Sequence, residues 1–294
     1  MRERFRGVRS LAKCGVIILA CVSWACGAEE STKDGYEVHD PKRPQPVVVT
    51  PGTNSTQDAS GQPPSDAIVL FDGKDLSKWR ADKTEKQEKA GEPDKPAAWT
   101  VAEGHLAVAA GKGNIRTNDE FRDVQLHAEF WHPTDIAGNS QGRGNSGIFF
   151  MGTYELQVLD SHNSETYADG MVGSMYGQYP PLVNASRTPG QWQTYDVIFR
   201  APQYDGERVA KPARMTVLLN GVVVQDNVDL LGPTKHSTLT EYPKTHPEKG
   251  PIKLQDHGHP VRFRNIWVRE LKETPPAAAR SAADAKKPAT PVAK

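Results

Sequence analysis

Cysteine is nearly missing from this 294-residue chain, and the three present, Cys14, Cys21 and Cys26, all lie near the N-terminus. No disulfide is possible in the globular region that follows. Net charge is missing too: 36 Lys and Arg balance 36 Asp and Glu. That removes any bulk electrostatic case for a nucleic-acid partner. The main apolar run, residues 15–25, is too short to span a bilayer. The chain has no long amphipathic helix pattern, no nucleotide-binding Gly-rich loop and no internal repeat.

What is there begins with a leader. Arg2, Arg4, Arg6 and Arg9, extended to Lys13, precede the apolar run, as in a secretory signal. Ala20-Cys21 and Ala25-Cys26 both resemble the lipobox at which a bacterial cysteine is lipidated. Cys26 is favoured because it leaves a fuller apolar region and a polar mature start, Gly27-Ala28-Glu29-Glu30. Cys21 has the better apolar residue upstream and is the alternative; a plain cleaved signal is the third. The expected location is the bacterial cell envelope, with membrane contact only through the lipid. Residues 27–65 are rich in Pro, Ser, Thr and Gln and read as a disordered tether, with Val47-Val48-Val49 as the one apolar patch. Residues 273–294 form a Pro/Ala/Lys tail that reads the same way. The span 66–272 suits one domain with a substantial core.

Within that span the signals are short and alternating. Val124, Leu126, Ala128 and Phe130 alternate with Gln125, His127, Glu129 and Trp131; Tyr195, Val197 and Phe199 repeat the pattern. Glu103-Gly104 sits between apolar runs as a hairpin, and so does Asn220-Gly221, whose residue types suit a type I′ turn with its two positive φ angles. Pro251–Gln255 reads as another strand. In VRFRNIWVREL the alternation slips at Arg264-Asn265, which predicts a β-bulge. Residues 83–95 are highly charged and read as an exposed loop. The long region 162–190 has little periodicity, a mark of a functional or mobile loop. Many short strands without helices predict an all-β, antiparallel two-sheet sandwich or barrel.

The stretch Gly142–His162 carries the strongest chemical signal. Tyr154, Leu156 and Val158 share one face of a strand, and Glu155 and Gln157 share the other. In the preceding run Asn145, Gly147 and Phe149 share a face, which Gly147 leaves open to a ligand. The cluster of Asn145, Glu155, Gln157 and Asp160 suits the hydroxyls of a sugar; ordinary strands with a solvated polar face are the plainer alternative.

Six separated stretches, LFDGKDLSKW (70–79), GNSGIFF (144–150), YELQVLDSH (154–162), GQWQTYDVIFRAP (190–202), LNGVVVQDN (219–227) and GPIKLQDHGHPVRFRNIWVREL (250–271), together resemble the 3-keto-disaccharide hydrolase family. The resemblance covers nearly all of 66–272. It implies a concanavalin A-like, glucanase-like jelly roll and cleavage of glycosidic bonds in sugars already oxidised at C3. The glucanase-like relatives place acidic residues at alternate positions of one strand; here Gln157, not a carboxylate, is the same-face neighbour of Glu155. A 3-keto sugar needs only one base and one acid, because the ketone acidifies the C2 proton. Glu155 and His257 are the candidates for proton transfer. Asn145, Gln157, Asp160, Lys253 and Gln255 are the expected substrate-binding groups, Lys253 polarising a carbonyl or enolate oxygen. Gln157 and Gln255 are expected on neighbouring strands. Trp131, with Trp192, is the candidate stacking platform. Arg143, Arg262 and Arg264 are expected to reach the cleft or brace its carboxylates, and Tyr176 and Tyr179 to close over it. No cofactor is required by the sequence. A divalent metal on His257-Gly258-His259 with Asp256 or Asp160 is a weaker alternative. A non-catalytic carbohydrate-binding module is the competing function. Nothing in the sequence sets the oligomeric state.

Overall fold

The structure, a computed structural model, describes residue 36 and residues 39–272. The expected leader, both candidate lipidation sites Cys21 and Cys26, and the tail 273–294 lie outside the described residues. Residues Pro46–Glu273 form one compact unit.

Fifteen strands and one short helix make it up. In chain order they are β1 (Ile68–Phe71), β2 (Trp79–Ala81), α1 (Glu85–Lys89), β3 (Thr100–Ala102), β4 (His105–Ala107), β5 (Ile115–Thr117), β6 (Val124–Trp131), β7 (Ser146–Phe150), β8 (Tyr154–Val158), β9 (Gln193–Arg200), β10 (Gln203–Asp205), β11 (Arg208–Lys211), β12 (Arg214–Leu219), β13 (Val222–Asp229), β14 (Lys253–Leu254) and β15 (Arg262–Glu270). The large sheet runs β13-β12-β9-β6-β15-β4-β3, with β1 also paired to β15, and a smaller sheet runs β2-β5-β14-β7-β8. Every pairing is antiparallel. This is the expected sandwich, here with its polar face partly covered.

The periodicity read from the sequence explains the packing. Strand β12 buries every second residue, as a strand with one wet face does. Leu126, Phe130, Tyr195 and Phe199 of the large sheet are fully buried, as are Ile148, Phe150, Tyr154 and Leu156 of the small one. The two sheets meet where Phe150 stacks on Phe199, centroids 4.9 Å apart. The Tyr195 hydroxyl crosses the core and donates to the Gln157 carbonyl at 2.7 Å, tying β8 to the large sheet. The β12–β13 turn has Asn220 at φ 54° and Gly221 at φ 81°, as the Asn-Gly signal requires. The slip in β15 is also present: the register with β6 shifts between Arg264 and Trp267, and Asn265 has φ 47°.

Two expectations need correction. The tether expected over 27–65 does not extend to residue 65, because residues from Pro46 on belong to the compact unit. Thr53 and Gln62 close a loop by backbone hydrogen bonding, Gln57 bonds the Trp192 backbone in both directions, and Arg264 donates to the Thr56 carbonyl at 2.6 Å. This polar stretch is held by hydrogen bonds rather than apolar burial, so composition alone did not reveal it. Val47 and Val48 remain exposed. Residues 83–95 are not loop throughout: α1 forms one exposed turn, closed by a Thr84/Gln87 capping box and burying nothing.

Candidate active site

Strands β7 and β8 bury all five of their residues, on both faces. The polar face predicted for them is therefore covered, not solvated. The covering comes from the connections 162–190 and 230–250, which contribute Tyr176, Thr234, Lys235 and His236 to a cleft of about 210 Å³ over the small sheet. From the sheet come Phe149, Glu155 and Gln157, and from the chain next to its strands Asn145, Gln255 and His257. Five of the eight residues proposed from sequence thus meet in one place.

Strand pairing sets their order. Gly147 lies opposite Gln157, and Phe149 opposite Glu155. Gln255 donates its backbone N–H to the Gly147 carbonyl at 3.0 Å. The two glutamines are therefore not on adjacent strands, as expected, but flank Gly147 on β7. A side chain at 147 would fill the gap: a Cβ there would stand 2.5 Å from Glu155 Oε1.

Glu155 is buried, and its environment is poor in partners. Burial pushes its carboxyl up to about 8, the Lys253 charge pulling the other way, with no hydrogen bond to offset the desolvation. Its backbone is held firmly, the N–H donating to Thr234 Oγ1 at 3.0 Å. Beside it runs an amide chain. Gln157 Nε2 donates to Asn145 Oδ1 at 3.3 Å and to Gln141 Oε1 at 3.2 Å, and Asn145 Nδ2 donates to the Gln141 carbonyl at 3.0 Å. With its amide nitrogen so committed, the buried Gln157 Oε1 has no partner among the described residues, and neither has the buried Gln255 Oε1. Buried polar oxygens of this kind call for a ligand donor. His257 lies at the exposed rim of the cleft. Partial burial, then the charge of nearby His259, hold its ring below the ordinary 6.5.

Three proposed residues fall elsewhere. Asp160 is buried outside the cleft, where Arg143 Nε donates to it at 2.6 Å and the His162 N–H at 3.1 Å. Its parity differs from that of Glu155 and Gln157, so it braces the strand end. Lys253 spans the next depression, 3.6 Å from Asp82 and 4.4 Å over the Phe149 ring; it influences Glu155 only through its charge. Trp131 sits on the outer face of the large sheet, with Arg262 4.4 Å over its ring and Trp192 6.5 Å away. Its strand was correctly read, but alternation cannot say which sheet a strand joins. Arg264 serves that outer face as well, pairing with buried Glu129 at 2.7 Å. Tyr176 does reach the cleft, whereas Tyr179 packs against the core.

Thr234, Lys235 and His236 were missed. They lie in an aperiodic, Pro-containing connection with no motif, and only the folded chain places them over Glu155. His257 and His259 stack with centroids 5.5 Å apart, while Asp256 accepts the N–H groups of Gly113 and Gly258. Among the described residues no three His, Cys, Asp or Glu side chains group as a metal site. Those donors therefore do not fit the ion considered from the HxH pattern.

A single carboxylate in an amide-lined cleft can move one proton to or from a sugar; it cannot supply the pair used in double displacement. Comparison with known proteins agrees in kind. The family model described as the 3-keto-alpha-glucoside-1,2-lyase-like domain matches residues 66–269. A 3-keto-disaccharide hydrolase of Bacteroides thetaiotaomicron is 24% identical over 92% of this chain and all of its own length. A crystal structure from Parabacteroides distasonis, described as a candidate glycosyl hydrolase, is 44% identical, covers 82% of this chain and 100% of its own, and superposes with a TM-score of 0.71. A second structure from that organism, 19% identical with a TM-score of 0.50 and coverage of 70% and 94%, shares the fold.

Proposed function

Since the chain belongs to the 3-keto-alpha-glucoside-1,2-lyase-like family, we propose that it cleaves 3-keto-glycosides by elimination followed by hydration. The observation that carries this reading is that Glu155 is, among the described residues, the one carboxylate lining the cleft. Its carboxyl is desolvated and makes no hydrogen bond among the described residues, with its pKa pushed up to about 8. Near pH 7 it keeps its proton and is an acid. His257, held below 6.5, is neutral there and is a base.

The proton inventory then closes. His257 takes the proton at C2. The C2–H electron pair is delocalised onto the C3 ketone oxygen, then forms the C1–C2 double bond as the C1–O bond breaks. Glu155 protonates the departing oxygen. Water then adds across the double bond, its hydroxyl to C1 and a proton to C2, so the net reaction is hydrolysis. Gln157 and Gln255 hold the ring by accepting from its hydroxyls, and Asn145 fixes the Gln157 amide. No oxidant is needed, because the ketone arrives with the substrate. Unpaired burial of a carboxyl is costly, which favours this reading over a binding module, where a neutral amide at 155 would suffice.

The test is incubation in deuterated water with a 3-keto-disaccharide and with the same sugar unoxidised. We expect reducing sugar and C2 deuterium from the first and no reaction from the second. Equal cleavage of both would restore an ordinary glycosidase; binding without turnover would restore the carbohydrate-binding module. We also propose, from the basic and apolar leader, that the protein is exported to the cell envelope and anchored at Cys26.

A further inference from the structure

A cleft of about 210 Å³ lies below the ~300–1,000 Å³ typical of drug-sized ligand sites. It suits one pyranose ring. A second depression of about 360 Å³ adjoins it, and Tyr176 and His236 belong to the walls of both. Its other walls include Tyr167, Asp169, Thr238 and Leu239.

The chemistry of this second site is that of a sugar platform. Tyr167 and Leu239 are 45% and 61% exposed, a large apolar surface left open in an otherwise polar groove. The Tyr167 and Tyr176 hydroxyls lie 2.7 Å apart and their rings are 64° to one another, so each fixes the other. The Tyr176 N–H in turn reaches the Glu155 carbonyl at 3.3 Å, and the Gly177 N–H reaches the Asp169 carbonyl at 2.9 Å. The second site is thus joined to the strand of Glu155 through a short, hydrogen-bonded path. An aromatic and an aliphatic face are suited to pack against the axial C–H groups of a pyranose, and a carboxylate such as Asp169 and a hydroxyl such as Thr238 to bond its equatorial hydroxyls.

We propose that Tyr167, Asp169, Thr238 and Leu239 form the subsite for the leaving-group sugar of a disaccharide whose reacting ring lies over Glu155. This rests on the reaction described above and adds the residues that hold the second pyranose, which make the enzyme prefer a sugar over a small alkyl group on the departing oxygen. Tyr176 and His236, shared by the two sites, would flank the bond that breaks.

The measurement is the ratio of kcat/KM for a 3-keto-disaccharide to that for the matching methyl 3-keto-glycoside. Tyr167→Ala and Leu239→Ala should each lower this ratio about tenfold, an effect of the size expected from one lost packing contact. The change should lie in KM. An unchanged ratio would overturn the subsite, and so would equal losses on both substrates, which mark general damage. If the wild-type protein turns over neither substrate, the reaction is wrong. Titration calorimetry with the intact disaccharide then decides the subsite: weakening about fivefold or more in both variants supports it, and unchanged affinity or no binding overturns it.

Discussion

At Glu155 two demands conflict. Core packing on β8 favours burial, and an ionised carboxylate opposes it. The outcome is a group that is protonated at rest and loses its proton only near pH 8. The proposed acid role therefore gives an alkaline limb: kcat/KM should fall as pH rises through about 8. It should also fall below the His257 pKa, which lies under 6.5, giving a bell. Glu155→Gln should remove the alkaline limb and lower the rate by about 10²-fold or more, while His257→Ala should remove the acid limb. A rate that rises through pH 8 would instead make Glu155 the base. Gly147 is the second decisive residue. Gly147→Ala would press a methyl against Glu155 Oε1, and we expect about 10²-fold lower kcat/KM. An unchanged melting temperature would separate displacement of the carboxyl from misfolding.

Among the elements, the segment 53–62 and the bulge in β15 depend on each other. The bulge at Asn265 turns its amide to Glu129 at 2.8 Å and to Ser55 at 3.1 Å, and Ser55 in turn donates to Glu129. His127 lies between Asp196 at 2.7 Å and Glu129 at 3.4 Å. Burial opposes both charges, but hydrogen bonds outweigh it, lifting His127 to about 9 and lowering Glu129 to about 2. The folded state binds the His127 proton more tightly than the unfolded chain does. Its contribution is therefore complete below pH 6.5 and lost as pH rises through about 9. Thermal unfolding at pH 7 and pH 10 should show a loss that His127→Gln abolishes. Glu129→Ala should cost about 3–5 kcal/mol in denaturant unfolding, because it strands the buried Arg264 charge. A cost under about 1 kcal/mol would mean the network contributes little and the segment is only loosely attached.

At the scale of the whole molecule, the proposed export and anchoring make one direct prediction. Mass spectrometry of the mature protein should find a diacylglyceryl Cys26 at its N-terminus. The same modification on Cys21 would move the anchor, and an unmodified start at Gly27 or later would remove it. The compact unit begins at Pro46, after the proposed anchor in sequence. The segment 46–65 belongs to that unit.

Sequence alone determined the longer strands and what each presents, while the short strands β2, β5, β10 and β11 carried no readable alternation. A period of two puts Glu155 beside Gln157, and leaves Asn145 and Gly147 on the neighbouring open face, whatever else the chain does. Asn220-Gly221 dictates its own turn, and the slip at Arg264-Asn265 requires a bulge because the core face must remain apolar on both sides of it. Only the tertiary structure decided how those faces meet. Sheet order is set by long-range pairing, which local alternation does not encode; that is why β7 lies between Gln157 and Gln255, and why Trp131 faces away from the cleft. The roof of the site was equally hidden. Thr234 and His236 come from an aperiodic connection, and their approach to Glu155 depends on that connection crossing the small sheet. The same covering decides the chemistry: on an open strand Glu155 would be an ordinary carboxylate, and only burial turns it into an acid that holds its proton at neutral pH.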